Sequence, residues 1–230
     1  MPRAALREIP FDVPPFELSG IVYGTLLNHR TALEALGEQV RSPPYNAPPR
    51  APVLYLKPRN TLALDGERVQ VPAGVAELEV GAAVGMVIGR TACRVSETNA
   101  LDHVAGFLIV NDVSIPHASY YRPAVRLKAR DGFCPLGPRV TARAKISDPS
   151  ALTLRTYVDG ALALTARTSE LLRPLARLLA DVTEFMTLAP GDVLAAGAAA
   201  PAPRVRAGQT VAIETDELGT LTSLFVAEAT

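Results

Sequence analysis

Tryptophan is absent from the 230 residues, cysteine occurs twice and histidine three times, and 23 basic side chains are matched by 23 acidic ones. Each shortage closes a class of function. With a formal charge of zero there is no basic footprint to neutralise a run of phosphates, so nucleic-acid binding is excluded as the main activity. Cys93 and Cys134, both in apolar contexts, make no disulfide framework for a chain of this length, which reads as a reducing compartment. No Cys or His pair has zinc spacing, and His29, His103 and His117 are scattered like surface or packing histidines. Gly81, Gly85 and Gly89 recur by four without the lysine or helix start of a phosphate loop, and there is no Gly-x-Ser-x-Gly elbow. The most apolar windows, 80–88 and 105–110, fall far short of the roughly 20 residues that span a bilayer. Residues 1–10 carry acid and proline where a secretory core would sit, so a soluble, cytoplasmic protein with no membrane partner is expected.

What is present is globular: 48% apolar residues, with 16 glycines and 20 prolines as punctuation. Hydrophobic spacing predicts helices over 25–40 (Leu26, Leu33, Leu36, Val40), over 96–104 with Ser96 as the cap, and over 171–185 along one continuous leucine stripe. Asp65-Gly66 and Asp159-Gly160 read as hairpin turns, and 210–214 and 220–227 flank a third turn at 216–219. The proline-rich stretch 42–52 and the Ala/Gly/Pro stretch 195–203 read as loops, neither long enough to separate domains. A β-rich α/β fold follows, with an amino-terminal extension over 1–19 and a single domain over 20–230.

Two constellations bear chemistry. An apolar strand, Gly106 to Val110, stops at Asn111-Asp112-Val113-Ser114, where a carboxylate can hold a hard cation or a substrate, or can cap a turn. Arg126, Lys128 and Arg130 alternate with apolar residues. On a strand they share one face, which suits a substrate with two or three carboxylates and equally suits a solvated surface.

The runs Pro52–Pro58, Val84–Gly89, Gly106–Ser114, Lys128–Pro138 and Met186–Val193 resemble, in order and spacing, the fumarylacetoacetate hydrolase superfamily. Residues 121–135 are similar to one branch of it, the amino-terminal half of the bifunctional isomerase/decarboxylases of 4-hydroxyphenylacetate (homoprotocatechuate) breakdown. The resemblance implies a single mixed β-roll domain with a few helices, and magnesium (Mg2+) chemistry on an unsaturated oxo or hydroxy di- or tricarboxylate. Two reactions are implied: decarboxylation of 5-oxopent-3-ene-1,2,5-tricarboxylate and isomerisation of 2-hydroxyhepta-2,4-diene-1,7-dioate. It also implies a homologous carboxyl-terminal-type subunit as partner in a homo- or hetero-oligomer. Lys128 matches the family lysine that faces substrate, and Asp112 the aspartate that binds metal. Arg126, Arg130, Lys57 and Asn111 are the expected substrate-binding residues.

Departures from the family pattern narrow this reading. Ungapped alignment from Gly89 to Asp112 puts Gly81 and Ala83 where the family's two metal-binding glutamates belong, so weak metal binding is expected. Glu77 and Glu79 have the right mutual spacing but stand four residues early. Ala32 and Ala35 occupy the lid positions of a histidine and a glutamate, and Gly197-Ala198-Ala199 stands for Gly-Thr-Pro. Three readings remain open: a catalytic half that works with its homologue, a degenerate structural or regulatory half, and a metal-independent decarboxylase built on Lys128.

Overall fold

The computed structural model describes residues 9–122 and 124–229. Short apolar runs bounded by glycine and proline become β1 (Val22–Leu26), β2 (Val53–Lys57), β3 (Leu62–Ala63), β4 (Arg68–Val71), β5 (Leu78–Glu79), β6 (Ala82–Ile88) and β7 (Val104–Asn111). The second half supplies β8 (Cys134–Ala142), β9 (Thr153–Val158), β10 (Ala161–Arg167), β11 (Val193–Ala195), β12 (Arg204–Val205), β13 (Thr210–Thr215) and β14 (Gly219–Ala227). Three short α-helices accompany them: α1 (Arg30–Glu34), α2 (Val125–Lys128) and α3 (Leu175–Thr183). One sheet runs β2-β1-β11-β6-β7-β8-β3, a second runs β10-β9-β13-β14-β4, and β12 and β5 form a separate ribbon. Parallel pairs (β1 with β11, β3 with β8, β14 with β4) mix with antiparallel ones, giving the expected β-rich mixed architecture.

Strand β6 lies at the centre because it is apolar on both faces. Its alternation sends Val84, Met86 and Ile88 into the larger core with Phe107, Ile109, Leu178 and Val182. Ala83 and Val87 enter a smaller core with Leu108 and Val110. A period of two thus lets one strand serve two cores, which is why its sequence is an uninterrupted apolar run. Ile9 and Leu18 are buried in the smaller core, so the described part of the amino-terminal segment packs against the sheet; residues 1–8 of that segment lie outside the described residues. No helix among the described residues is long and apolar enough to cross a membrane.

Several local expectations need correction. The helix read over 25–40 starts only at Arg30, because Thr25 and Leu26 are captured by β1 between β2 and β11. After α1 the chain turns through Gly37, at φ +51°, into a 3-10 turn over Gly37–Arg41. The helix read over 171–185 shrinks to α3: it starts behind Pro174 and leaves Leu172 and Phe185 exposed. Over Glu97–His103 the chain is a 3-10 helix whose Ser96 side chain makes no capping bond. Asp65-Gly66 closes no hairpin. Its two flanking strands go to different sheets, β3 to β8 and β4 to β14, and the turn docks on β14 through Thr222. The other two turns do close hairpins, β9–β10 and β13–β14.

Gly85 is a point of close approach at the middle of the central sheet. A Cβ there would come 2.8 Å from Val110 and 2.9 Å from both Leu108 and Val193. Gly85→Ala is expected to destabilise the protein by about 1–3 kcal/mol through overpacking, read as a lower urea midpoint with an unchanged slope.

Candidate active site

The site grows from the end of β7. Asp112 leaves the strand with its N–H on the Gly81 carbonyl (2.8 Å), which fixes the carboxylate beside three groups from other elements. Lys128 donates to Oδ2 at 2.6 Å, and the Tyr55 hydroxyl makes a short hydrogen bond to the same oxygen. The Lys57 ammonium lies 2.9 Å from Oδ1. Tyr55 and Lys57 come from β2, where their i, i+2 spacing puts both on one face. Gly24 stands opposite Tyr55 on β1, and a Cβ there would overlap the Tyr55 ring, so glycine is what lets the ring reach Asp112. That ring also packs under Lys128, whose Nζ is 4.5 Å from its centroid.

Lys57 is used up by the protein itself. Its Nζ donates to the carbonyls of Val113 (2.6 Å), Lys128 (2.8 Å) and Phe133 (2.8 Å). An ammonium has three protons and a neutral amine only two, so three acceptors at these distances identify a charged lysine. Burial pulls its pKa below the ordinary lysine value and Lys128 adds to this, while Asp112 opposes both. For Asp112, burial alone would raise the pKa. The charges of Lys128 and Lys57, with the hydrogen bonds from Lys128 and Tyr55, overcome that and hold it well below the usual carboxylate range. Burial, then the neighbouring carboxylate charge, pushes the Tyr55 hydroxyl well above its ordinary value. Burial likewise pushes the adjacent Cys134 thiol up to about 12, which makes it inert.

Asp112 and Lys128 form one wall of a cavity of about 250 Å³. Its other polar groups are Thr25, Ser114, His117, Tyr120, Glu79 and Arg204. Tyr120 is held there by a bond from its N–H to the Tyr45 hydroxyl (2.7 Å), which ties the 115–122 segment to the 42–52 loop. His117 Nδ1 lies 2.9 Å from the Ile115 carbonyl and, because a carbonyl only accepts, Nδ1 is the donor in this contact. Ala32, Ala35, Ala198 and Ala199 complete the lining, and Asn28 braces this wall through the Ala196 carbonyl (2.8 Å).

The expected site residues are therefore only partly gathered. Asp112 and Lys128 meet at the cavity. Lys57 stands behind Asp112 as an internal counter-ion and does not line the cavity. Asn111 is buried, and neither end of its amide has a partner among the described residues; it too is off the cavity wall. The common face expected of Arg126, Lys128 and Arg130 does not exist, because 125–128 form a turn of helix. Residues two apart on a helix point about 200° apart, so Lys128 is buried while Arg126 faces solvent, and Arg130 lines a different groove. Glu79 reaches the cavity, but Glu77 pairs with Arg206 elsewhere. The register Ala82 to Asn111 rules out the four-residue shift that would move both glutamates into place. Tyr55, Tyr120, His117 and Arg204 were not anticipated; only Tyr55 had a readable signal, its strand spacing from Lys57.

Fold and site together define the class: residues 21–226 match the fumarylacetoacetate (FAA) hydrolase C-terminal family, and the chain belongs to it. It is 41% identical over 211 residues to the 4-hydroxyphenylacetate degradation bifunctional isomerase/decarboxylase of Salmonella dublin, covering 92% of this chain and 48% of that protein. The chain thus spans about half the length of the curated relatives it matches. The crystal structure of 5-carboxymethyl-2-hydroxymuconate delta-isomerase from Mycobacterium smegmatis superposes with a TM-score of 0.77 at 31% identity, covering 93% of this chain and 81% of that one. The 2-hydroxyhepta-2,4-diene-1,7-dioate isomerase of Mycobacterium marinum gives a TM-score of 0.75 at 29% identity, covering 93% and 77%. A maleylpyruvate hydrolase of Sphingobium sp. SYK-6, solved with manganese(II) and pyruvate, shares the fold at 24% identity, with a TM-score of 0.76 and 91% and 71% coverage.

The donor set here does not fit a divalent ion. A Cβ at Gly81 would come 2.8 Å from the Asp112 carbonyl oxygen and 3.1 Å from its Cβ, so no carboxylate can project from that position without moving the strand end. Ala83 is buried in the smaller core. The oxygens of Asp112 face two ammonium groups and a hydroxyl, and no group of three His, Cys, Asp or Glu side chains is placed to hold a metal among the described residues.

Calorimetry with magnesium or manganese is expected to show no stoichiometric binding tighter than about 0.1 mM. Asp112→Asn strands two buried ammonium groups and is expected to cost about 3–5 kcal/mol of stability. Because the folded pKa of Asp112 lies below its unfolded value, its contribution is complete above the ordinary carboxylate range and is lost as pH falls toward the folded value. Urea midpoints measured from pH 6 to pH 3 should therefore fall more steeply in the parent protein than in Asp112→Asn.

Proposed function

We propose that this chain is one half of an isomerase/decarboxylase assembly that acts on unsaturated 2-oxo or 2-hydroxy dicarboxylates, paired with a homologous second half. The observation that carries the proposal is the charge balance behind the cavity. Two buried ammonium groups, Lys57 and Lys128, share one carboxylate, Asp112, and this leaves one positive charge beside a small-molecule cavity. Buried charge without a partner is costly, so the cavity favours an anion. The similar proteins from M. smegmatis and M. marinum are named for isomerisation of unsaturated hydroxy acids of this kind, and that from Salmonella as an isomerase/decarboxylase, which agrees with that preference.

In this reading Lys128 presents its remaining N–H donors to a substrate carboxylate or to the 2-oxo oxygen. As carbon dioxide leaves, electrons flow toward that oxygen, and a fixed ammonium stabilises the developing enolate. The same contact holds the dienol while a proton moves from oxygen to carbon. Asp112 and Tyr55 keep Lys128 oriented, and the alanine walls exclude water. The roles of substrate contact (Lys128) and counter-ion (Asp112, Lys57) are part of the proposal, as are assembly as a homo- or hetero-oligomer and a cytoplasmic setting. A second reading, a structural half whose chemistry is gone, draws support from the alanines at 32, 35, 198 and 199.

Lys128→Met separates the two readings. Decarboxylation and isomerisation should be followed separately, with the homologous half supplied. Loss of a charged hydrogen bond should lower at least one rate by roughly 10- to 150-fold. Rates within about twofold of the parent, in a variant that keeps its circular dichroism and thermal transition, would assign the chain a structural role.

A further inference from the structure

The ribbon of β5 and β12 puts one more charged group at the cavity, on the side away from Lys128. Ser114 bridges Glu79, and Glu79 pairs with Arg204, so three neighbouring segments run Ser114, Glu79, Arg204 across the cavity. Two strand spacings separate the Ser114 and Arg204 backbones, roughly 9–10 Å. A seven-carbon diacid, fully extended, places its terminal carboxyl carbons roughly 7–8 Å apart, from six zigzag carbon–carbon bonds of about 1.5 Å. The stretch from Ser114 to Arg204 is thus long enough to hold such a chain, with Arg204 at one end.

Arg204 is loosely held. Its only ion pair among the described residues is Nη2 to Glu79 Oε1 at 3.4 Å, and its side chain is 55% exposed where that of Glu79 is 21% exposed. A long, single contact to an internal carboxylate is readily exchanged for a bidentate one to a ligand carboxylate, which the planar guanidinium fits better. Glu79 keeps the arginine over the cavity mouth until such a ligand arrives.

We infer that Arg204 is the specificity-determining residue of this site: it binds the carboxylate at the far end of a dicarboxylate whose 2-oxo acid end rests at Lys128, and Glu79 holds its place in the empty cavity. This rests on the reading of the cavity as a 2-oxo acid site and adds which acids it selects. Arg204 is outside the Lys57–Asp112–Lys128 cluster, so replacing it leaves the reacting end of the substrate untouched.

The test uses the full-length chain and two unreactive ligands, 2-oxoheptanedioate and 2-oxoheptanoate, which differ only in the distal carboxylate. Calorimetry should show the diacid binding roughly 10-fold or more tighter than the monoacid. In Arg204→Met the preference should fall to within about threefold, with monoacid affinity unchanged, since the lost contact to the distal carboxylate accounts for the whole difference. Arg204→Lys should recover part of it, because an ammonium keeps the charge and loses the fork. If the parent binds both acids equally, or Arg204→Met retains the preference, the inference fails while the 2-oxo acid reading stands. If neither acid binds the parent protein, that reading fails and the inference with it.

Discussion

Everything at this site depends on one buried carboxylate shared by two buried ammonium groups. Asp112 stands between Lys57 and Lys128, and all three are nearly inaccessible to water. Their attraction is strong because little solvent screens it, and for the same reason removing Asp112 alone strands two buried positive charges. The arrangement also ties distant segments together. Lys57 gathers the carbonyls of Val113, Lys128 and Phe133, so β2, the end of β7, α2 and the entry to β8 meet at one nitrogen. The cluster is at once the keystone of the sheet's end and the wall of the cavity.

The cavity keeps the course of the backbone while side chains expected from the family pattern are reduced to glycine and alanine. Where the family pattern places glutamates and a lid pair of histidine and glutamate, this chain has Gly81, Ala83, Ala32 and Ala35. Three of those four positions line the cavity, so the loss is of side-chain chemistry and not of backbone course. Positive charge next to Asp112 is supplied by lysine ammonium groups held inside the chain. Gly81 contributes sterically, since its missing side chain is what lets Asp112 sit close against the strand end.

The sequence by itself determined the apolar centre and the chemistry-bearing strand end. Alternation in β6 and β7, the two closing hairpins, the loops over 42–52 and 195–203, and the Asp112 turn all follow from contacts within a few residues, where periodicity and turn residues act directly. The same locality made Asp112 and Lys128 readable, helped by the family resemblance. Tertiary structure decided the rest. Thr25 and Leu26 carry helical spacing yet join a sheet, because Leu54 and Val53 of β2 offer them ladder partners and the Ala195 carbonyl accepts from the Thr25 hydroxyl. Arg126 and Arg130 were assigned to a strand face, but a single helical turn separates them from Lys128, and no local signal distinguishes four residues of helix from four of strand. Lys57 looked like a substrate ligand until three carbonyls from elsewhere in the chain claimed its protons. Arg204, His117 and Tyr120 arrive from loops and a two-residue ribbon whose positions depend on long-range pairing. Charge and periodicity are properties of neighbours in sequence, whereas the partner of a buried charge is a property of the folded chain.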